Sequence, residues 1–130
     1  MSGKVRAFAH FGVKLRNDTW SWSGRTDDGT VVVLQLWKDH FDYKSRPISY
    51  SDFGDPRLPV WQGRKGNRER IENVKWAIAH CGGKFRVVIG VAKEWDVDTR
   101  ETDEAYPQQK LTMRIVEFNE STGEIRAEQC

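Results

Sequence analysis

The alternating run over residues 19–38, TWSWSGRTDDGTVVVLQLWK, constrains the fold of this chain more than any other segment. Its two halves flank Asp28-Gly29, a dipeptide that favours a type I′ hairpin turn because both residues tolerate positive φ. With Asp28 and Gly29 as the loop residues, Trp22 lies opposite Gln35 in the pairing. The segment therefore predicts a two-stranded antiparallel hairpin.

Both faces of this predicted hairpin carry apolar side chains. The first face presents Trp20, Trp22, Val31, Val33 and Trp37. The second presents Ser21, Ser23, Val32, Leu34 and Leu36. A strand that is apolar on both sides is covered on both sides, so we expect the hairpin to be central to a barrel or to a covered sheet.

Residues 39–66 predict a long loop with at most one short strand, because three prolines and repeated Asp, Ser and Gly interrupt any periodicity. Structureless loops of this length are uncommon in a compact domain and are often functional. The segment is rich in rings, which makes it more than a solvated connector: Phe41, Tyr43, Tyr50, Phe53 and Trp61.

A helix is predicted from Asn67, a good N-cap residue, through Cys81, with Gly82-Gly83 ending it. Its expected core-facing stripe consists of residues at helical spacing: Ile71, Val74, Ala77, Ile78 and Cys81. Arg68 and Lys75 lie on other faces and are expected to be exposed.

The remaining sequence predicts strands over 85–92, 111–118 and 125–128, with an acidic loop over 94–104. One main helix against five or so strands predicts the α+β class and a small, partly closed β-barrel. A chain of 130 residues fits a single domain, so we expect residues 1–130 to form one unit.

The charge distribution is uneven along the chain. The net charge is +5 over residues 61–86 and −5 over residues 87–130, although it is only +2 overall. A basic surface of this kind indicates a polyanionic partner, and an ordinary solvated helix face is the alternative.

Several classes of protein are disfavoured by the sequence. No apolar run approaches the roughly 18–20 residues that cross a bilayer, and the first residues lack the apolar stretch of a signal peptide. Cys81 and Cys130 are the only cysteines, and neither they nor the scattered histidines have metal-ligand spacing. We therefore expect a cytoplasmic protein with no membrane partner, no zinc and no other cofactor.

The segment 63–68, GRKGNR, is the strongest local signal. Its glycines let a ligand approach the backbone, and a helix N-terminus behind basic side chains binds anions. The Gly-Lys-Ser/Thr of a phosphate-binding P-loop is absent, so nucleotide hydrolysis is not implied. The predicted contacts to a nucleic-acid backbone are Arg64, Lys65, Asn67, Arg68 and Arg70, and a basic loop without ligand is the alternative.

The aromatic residues predict a recess in which a base could stack, as flat side chains do in nucleic-acid readers. The predicted base-binding residues are Trp22, Trp61, Tyr43, Tyr50 and Gln35. The alternative is that tryptophans fill the core of a small barrel. We expect Trp37 to lie in the core. Trp22 and Trp61 are expected to be accessible, since Trp22 faces the polar Gln35 and Trp61 adjoins the basic loop.

Signals for catalysis are poor, so we do not expect an enzyme. Asp96, Asp98, Asp103 and Glu104 crowd one loop without a pair at catalytic spacing. His40 is a candidate general base, with a capping or core-edge histidine as the alternative.

Four short patterns resemble the accessory domains that precede HNH nuclease modules in some bacterial restriction-type endonucleases. They are Asn-x-x-Trp-x-Trp at 17–22, Leu-x-Leu-Trp-Lys-Asp at 34–39, Gly-Asn-x-x-Arg at 66–70, and Ala92-Lys93. Such domains are similar to the PUA-like group (EVE, ASCH and SRA-type modules), whose curled sheets recognise modified bases. No HNH motif occurs in these 130 residues. The resemblance therefore implies a reader of modified bases that acts alone or with a separate nuclease.

The leading hypothesis is thus a nucleic-acid-binding module that reads a modified base in DNA or RNA. Two alternatives stay open at this point. One is a protein-interaction or oligomer-forming module, and the other is a small nucleic-acid-processing enzyme. Salt dependence separates the first two, since phosphate contacts weaken steeply as salt rises.

Overall fold

A computed structural model describes residues 3–94, 96–97 and 99–130, and within them the chain is α+β, as predicted. Three α-helices and seven strands make up the regular structure of these residues. In chain order they are α1 (Gly3–His10), β1 (Ser23–Arg25), β2 (Val32–Trp37), β3 (Phe41–Asp42), β4 (Ser49–Ser51), α2 (Leu58–Trp61), α3 (Lys65–His80), β5 (Lys84–Ala92), β6 (Thr102–Phe118) and β7 (Ile125–Gln129), with a 3-10 turn at Lys38–His40.

The strands form one mixed sheet in the order β1-β2-β5-β6-β7-β4-β3. The β2–β5 pair is parallel and the other pairs are antiparallel. We predicted a partly closed barrel, whereas the described strands form an open sheet with β1 and β3 at its edges. None of the helices in the described residues is long and apolar enough to span a membrane.

The predicted hairpin has the predicted register, since Ser23 lies opposite Leu34 and the Gln35 N–H donates to the Trp22 carbonyl over 2.9 Å. The predicted turn type is wrong. Gly29 has a φ of +71°. Among the described residues only glycines have a positive φ, so Asp28 is not left-handed. Asp28 instead accepts hydrogen bonds from both Thr26 and Thr30, which stabilise a wider loop over residues 27–30.

The main helix is confirmed, but its start and its buried face differ from the prediction. α3 begins at Lys65 behind Arg64, so Asn67 lies inside the first turn and is not the N-cap. Ile78, expected in the core, is 48% exposed. The buried face is largely polar and consists of Gly66, Asn67, Glu69, Arg70, Asn73, Val74 and Ala77.

Other features of α3 match the prediction. Arg68 and Lys75 are exposed, and Gly82 and Gly83 end the helix with φ values of +63° and +77°. The buried face is rotated away from the most apolar stripe because polar side chains on that face bind neighbouring loops. Arg70, for example, donates to the Gly123 carbonyl.

Two regions of regular structure were not expected from the sequence. α1 covers the first face of the hairpin, where Ala7 and Phe8 pack with Val33 and Val88. Residues 39–66 contain β3, β4 and α2, where we predicted a long loop with at most one strand. These elements are two to eight residues long, too short to give a periodic signal.

The sheet is covered on both faces, as the two apolar faces of the hairpin predicted. On one side the larger core joins Val32, Leu34 and Leu36 to Val74 and Ala77 of α3. On the other side a smaller core lies beneath α1. α1 does not extend over the carboxyl end of β2, and a cavity opens there.

Candidate functional site

A cavity of about 820 Å³ lies at the carboxyl end of β2, within the range of roughly 300–1,000 Å³ typical of small-molecule and cofactor sites. Four parts of the chain form its wall: the start of α1, residues 18–22 together with the end of β2, residues 40–70, and residues 99–105 beside β5. The segment that we predicted as a functional loop therefore does contribute to a cavity, through its short elements and its turns.

Four tryptophans line this cavity, and each is half-buried: Trp20, Trp22, Trp37 and Trp61. Trp22 and Trp61 are the two tryptophans predicted from the sequence to bind a base, and both are in the cavity wall. The prediction that Trp37 lies in the core is wrong. Trp37 follows Gln35 on the same face of β2, and α1 does not cover that face so far along the strand.

Trp22 is held against the first turn of α3. A Cβ on Gly66 would lie 2.5 Å from the Trp20 carbonyl oxygen and 3.1 Å from Cδ2 and Cε3 of Trp22. We expected Gly66 to let a ligand approach the backbone, but the group that approaches is the protein's own hairpin. Glycine at this position thus fixes the indole by allowing close packing.

Gln35 is held in a similar way by β5. A Cβ on Gly90 would lie 2.8 Å from the Gln35 amide nitrogen, so the missing side chain leaves room for this amide to lie over the strand. The same amide nitrogen is 3.5 Å from the Thr102 hydroxyl. Gln35 is therefore positioned in the cavity wall from two neighbouring strands, β5 and β6.

The two predicted tyrosines differ from each other. Tyr50 lines the cavity but is fully buried, and its ring packs against Phe41 in the larger core. Tyr43 is 43% exposed, stacks on Phe41 and lies outside the cavity wall, so the structure does not bring it to the predicted recess.

The predicted backbone-binding residues divide into two groups. Arg64 and Lys65 are exposed at the cavity, and neither has an ion-pair partner among the described residues. Arg68 is exposed on α3 outside the cavity wall. Asn67 and Arg70 are buried, because both connect α3 to neighbouring loops, and we correct their predicted role as phosphate contacts.

Asn67 and Arg70 have structural partners. The Asn67 amide donates to the carbonyls of Gln62 and Thr122, each over 2.8 Å. The Arg70 guanidinium donates to the Asp52 carboxylate over 2.9 Å, and its plane lies over the Trp61 ring at 5.2 Å. One face of the Trp61 ring is thus occupied by a cation that is already paired.

Beneath the cavity, this Asp52–Arg70 pair is closed off from solvent together with Tyr50. The Tyr50 hydroxyl donates to Asp52 over 3.4 Å, and burial raises the pKa of that hydroxyl well above its usual value. The nearby Asp52 carboxylate raises the pKa of the Arg70 guanidinium against the opposing effect of burial. The Arg70 guanidinium therefore keeps its charge in the folded protein.

His40 occupies the adjacent wall. Its Nε2 is 3.4 Å from an Arg57 guanidinium nitrogen and 3.9 Å from the Asp55 carboxylate. Burial lowers the pKa of His40, which favours the neutral ring. Because arginine only donates hydrogen bonds, Nε2 of the neutral ring accepts and the ring proton resides on Nδ1.

The charges around the opening are not uniform. Lys4, Arg57, Arg64 and Lys65 line the cavity on the side of α1 and residues 57–65, whereas Glu101, Asp103 and Glu104 line it on the side of β6. Both charged segments are evident in the sequence, but their separation in the chain hides the fact that they face one cavity. The contribution of α1 to the cavity was not predicted from the sequence.

Several polar atoms of the cavity wall have no hydrogen-bond partner in the described protein, although they are shielded from water. They are Nε1 of Trp22, Oε1 of Gln35, Nδ1 of His40 and Nε of Arg70. An unpaired buried polar group costs about 1–3 kcal/mol, so such groups call for a physical explanation.

Comparison with known proteins gives no relative, since no family model, no curated protein and no solved structure matches this chain. Within the described residues, no group of three or more His, Cys, Asp or Glu side chains could hold a metal ion. Cys81 and Cys130 are free thiols. The function is therefore argued from the chemistry of the cavity wall.

Proposed function

We propose that this protein binds nucleic acid and accepts one base, turned out of its strand, in the tryptophan-lined cavity. The observation that carries the proposal is the convergence of Trp20, Trp22, Trp37 and Trp61 on one cavity that also has exposed basic residues, Arg64 and Lys65, at its edge. Cavities of this kind suit a planar, apolar ring with a polar rim, which describes a nucleobase.

The tryptophans supply the stacking surface. They are half-buried in the absence of ligand, so a stacked base would cover apolar area that is still open to water. Arg100 lies over the Trp37 ring at 5.3 Å, and Arg70 occupies one face of Trp61. At most one face of each of these two rings is left for a ligand, which favours one inserted base over a continuous stack along a strand.

The charges around the cavity favour one path for the nucleic-acid strand that carries the base. Arg64 and Lys65 have no ion-pair partner in the part of the chain that the structure describes and can contact phosphates, whereas Glu101, Asp103 and Glu104 on the opposite side repel them. The sugar-phosphate chain would therefore enter along residues 57–65 and turn away from β6. Salt would weaken binding, because released counterions contribute to affinity.

The size of the cavity leaves room for a base together with a modifying group. Its volume of about 820 Å³ is in the upper part of the range in which drug-sized ligands bind. We infer that the reader is of the PUA-like type, that it recognises modified DNA in preference to RNA, and that a separate nuclease is a partner. These three finer points rest on the sequence resemblance.

The test is a titration of the full chain with matched oligonucleotides that differ only in one modified base, at about 50 mM and about 200 mM salt. We expect affinity to depend on the modification and to fall steeply with salt. The double variant Arg64→Ala/Lys65→Ala should weaken binding to every oligonucleotide and flatten the salt dependence.

A matched control removes the same charge elsewhere. Lys110 and Arg114 are exposed on β6 outside the cavity wall, and Lys110→Ala/Arg114→Ala should leave the salt dependence unchanged. If neither oligonucleotide binds at low salt, the proposed function is wrong. If both double variants weaken binding equally, the interaction is a general attraction to basic protein and the cavity is not its site.

A further inference from the structure

We propose that Lys4 is a nucleophile whose side-chain amine captures an aldehyde on the bound base as a reversible imine. This inference rests on the proposed function and names the chemical class of the modification, a formyl group attached to the base. Among the described residues, Lys4 and Lys65 are the two lysines in the cavity wall. Lys65 is exposed, as a phosphate contact should be, whereas Lys4 is half-buried.

The amine of Lys4 is held beside one of the tryptophans of the cavity. Its Nζ donates to the Thr19 carbonyl over 3.0 Å, and that carbonyl directly precedes Trp20 in the chain. The Asn17 side chain fixes this turn, since its Oδ1 accepts from the backbone N–H groups of Thr19 and Trp20 over 2.8 Å and 3.1 Å. The amine is therefore anchored to an ordered turn, and Lys4 and Trp20 line the same cavity.

The surroundings of Lys4 increase the share of neutral amine, which is the form that attacks a carbonyl carbon. Partial burial lowers the pKa of Lys4, against the opposing effect of the Asp18 and Glu69 carboxylates. Lys4 has no ion pair among the described residues, whereas the amines of Lys75 and Lys93 lie 2.8 Å and 3.4 Å from carboxylates. Its partner is a backbone carbonyl, which accepts a hydrogen bond from a neutral amine and leaves the lone pair free.

The reaction needs only the amine and the aldehyde. The amine nitrogen adds to the formyl carbon, and the electron pair of the C=O bond moves to the oxygen. Both amine protons pass to that oxygen, which leaves as water when the C=N bond forms. Water reverses the step and releases the base unchanged, so no oxidant or reductant is consumed.

The cavity determines which aldehyde is captured. Methyl and hydroxymethyl groups on a base have no carbon that an amine attacks, whereas a formyl group does. An abasic site also presents an aldehyde, on its opened sugar, but it has no ring to stack on the four tryptophans. Because the cavity of about 820 Å³ leaves room for a base together with a modifying group, we assign the aldehyde to the base.

The experiment traps the imine by reduction. The full chain is mixed with strands that differ in one base, which carries a formyl, a hydroxymethyl or a methyl group, and with the same strand containing an abasic site. Cyanoborohydride then converts an imine into a stable covalent bond. The product is measured as a protein–oligonucleotide band, and mass spectrometry of the digested protein locates the bond.

Three variants accompany wild type. Lys4→Arg retains a positive charge without a nucleophilic amine, and Lys4→Met removes both. Lys14→Met is the matched control, because Lys14 is exposed and lies outside the cavity wall. Binding of the hydroxymethyl strand by each protein is titrated in parallel, so that trapping is compared at equal occupancy.

We expect the formyl strand to be trapped in preference to the other three, with the bond on Lys4. Trapping should fall at least about tenfold in Lys4→Arg and in Lys4→Met, because neither side chain forms the imine, and should persist in Lys14→Met. Since arginine retains the cation, a loss in Lys4→Arg separates imine formation from an ordinary phosphate contact. If Lys4→Met does not fold, Lys4→Arg and the position of the bond still decide the question.

The inference is overturned if wild type binds the strands but traps none of them, if the bond lies on another lysine, or if Lys4→Arg is trapped as efficiently as wild type. Preferential trapping of the abasic strand at Lys4 would contradict the assignment of the aldehyde to a base. Failure of the proposed function gives a different result, because wild type would then bind none of the strands at low salt before the reductant is added, which overturns both proposals.

Discussion

The two faces of the hairpin formed by β1 and β2 differ in how completely they are covered. On the face toward α3, Val32, Leu34 and Leu36 are essentially inaccessible to solvent. On the face toward α1, Val33 is equally buried, but Gln35 and Trp37 further along the strand are only half-buried. A single strand thus contributes a closed core on one side and an open cavity on the other.

The two faces of the hairpin also differ in the type of side chain that they carry. The closed face uses aliphatic side chains that interdigitate fully, and a void there would be costly. The open face uses tryptophans, which remain rigid when half-exposed because few bonds rotate and neighbouring glycines allow close backbone packing. The core therefore provides stability, whereas the cavity retains apolar surface that a ligand can cover.

The largest expected effect concerns the buried ion pair that separates the cavity from the core. Arg70→Met leaves Asp52 buried without its cation, and breaking such a pair costs about 3–5 kcal/mol. We expect chemical denaturation to show a loss of that order. The double variant Arg70→Met/Asp52→Asn should recover part of it, because no uncompensated charge remains. Equal stability of Arg70→Met and wild type would mean that the pair is hydrated.

The next prediction compares a closed position with an exposed one. Leu34→Ala should lower the free energy of unfolding by about 2–5 kcal/mol, since Leu34 is fully buried and its truncation leaves a cavity. Ile78→Ala should change it by less than about 0.5 kcal/mol, although the sequence pattern placed Ile78 in the core. Urea unfolding of both variants measures the difference. A large loss from Ile78→Ala would show that this face of α3 is covered in solution.

A smaller effect is expected from His40 in the cavity wall. Its pKa in the folded protein lies below the ordinary value of 6.5 because of burial, which the carboxylates of Asp39, Asp55 and Asp52 oppose. Below that ordinary value the unfolded chain binds a proton that the folded protein resists, so stability should fall as the pH decreases from 6.5 toward the lowered pKa.

The measurement is the unfolding free energy of wild type and His40→Gln at several pH values between about 5 and 7. Glutamine can still accept the Arg57 hydrogen bond but does not titrate, so its stability profile should be flatter over this interval. Parallel profiles for the two proteins would assign the pH dependence to other groups.

Sequence reasoning predicted the hairpin register, the α+β class, the main helix and its glycine end, because each depends on local periodicity or on backbone conformation. It failed for the buried face of α3, since side chains such as Asn67 and Arg70 are buried by partners distant in sequence. It also failed for α1, which is short and weakly periodic. Trp95 and Asp98 of the acidic loop lie outside the described residues.

The candidate site was predictable in part for the same reason. The pairing of Trp22 with Gln35 follows from the hairpin register, and the basic residues Arg64 and Lys65 follow from the sequence alone. The shared face places Trp20 and Trp37 beside Trp22, but their exposure in the cavity could not be predicted, because alternation tells which residues share a face but not how far α1 covers it. Residues 57–65 and 101–104 face each other across one cavity because of the tertiary fold, which local sequence patterns do not reveal.

The most direct test of the central claim is the affinity of Trp61→Ala for the tightest-binding oligonucleotide, measured beside Trp76→Ala. Stacking of a base on an aromatic ring contributes about 1–3 kcal/mol, so Trp61→Ala should lose at least about fivefold in affinity while the folded protein persists. Trp76→Ala, which alters a ring outside the cavity wall, should retain wild-type affinity in its folded fraction. Unchanged affinity of folded Trp61→Ala would contradict the account, because the cavity would then not be the place where the base binds.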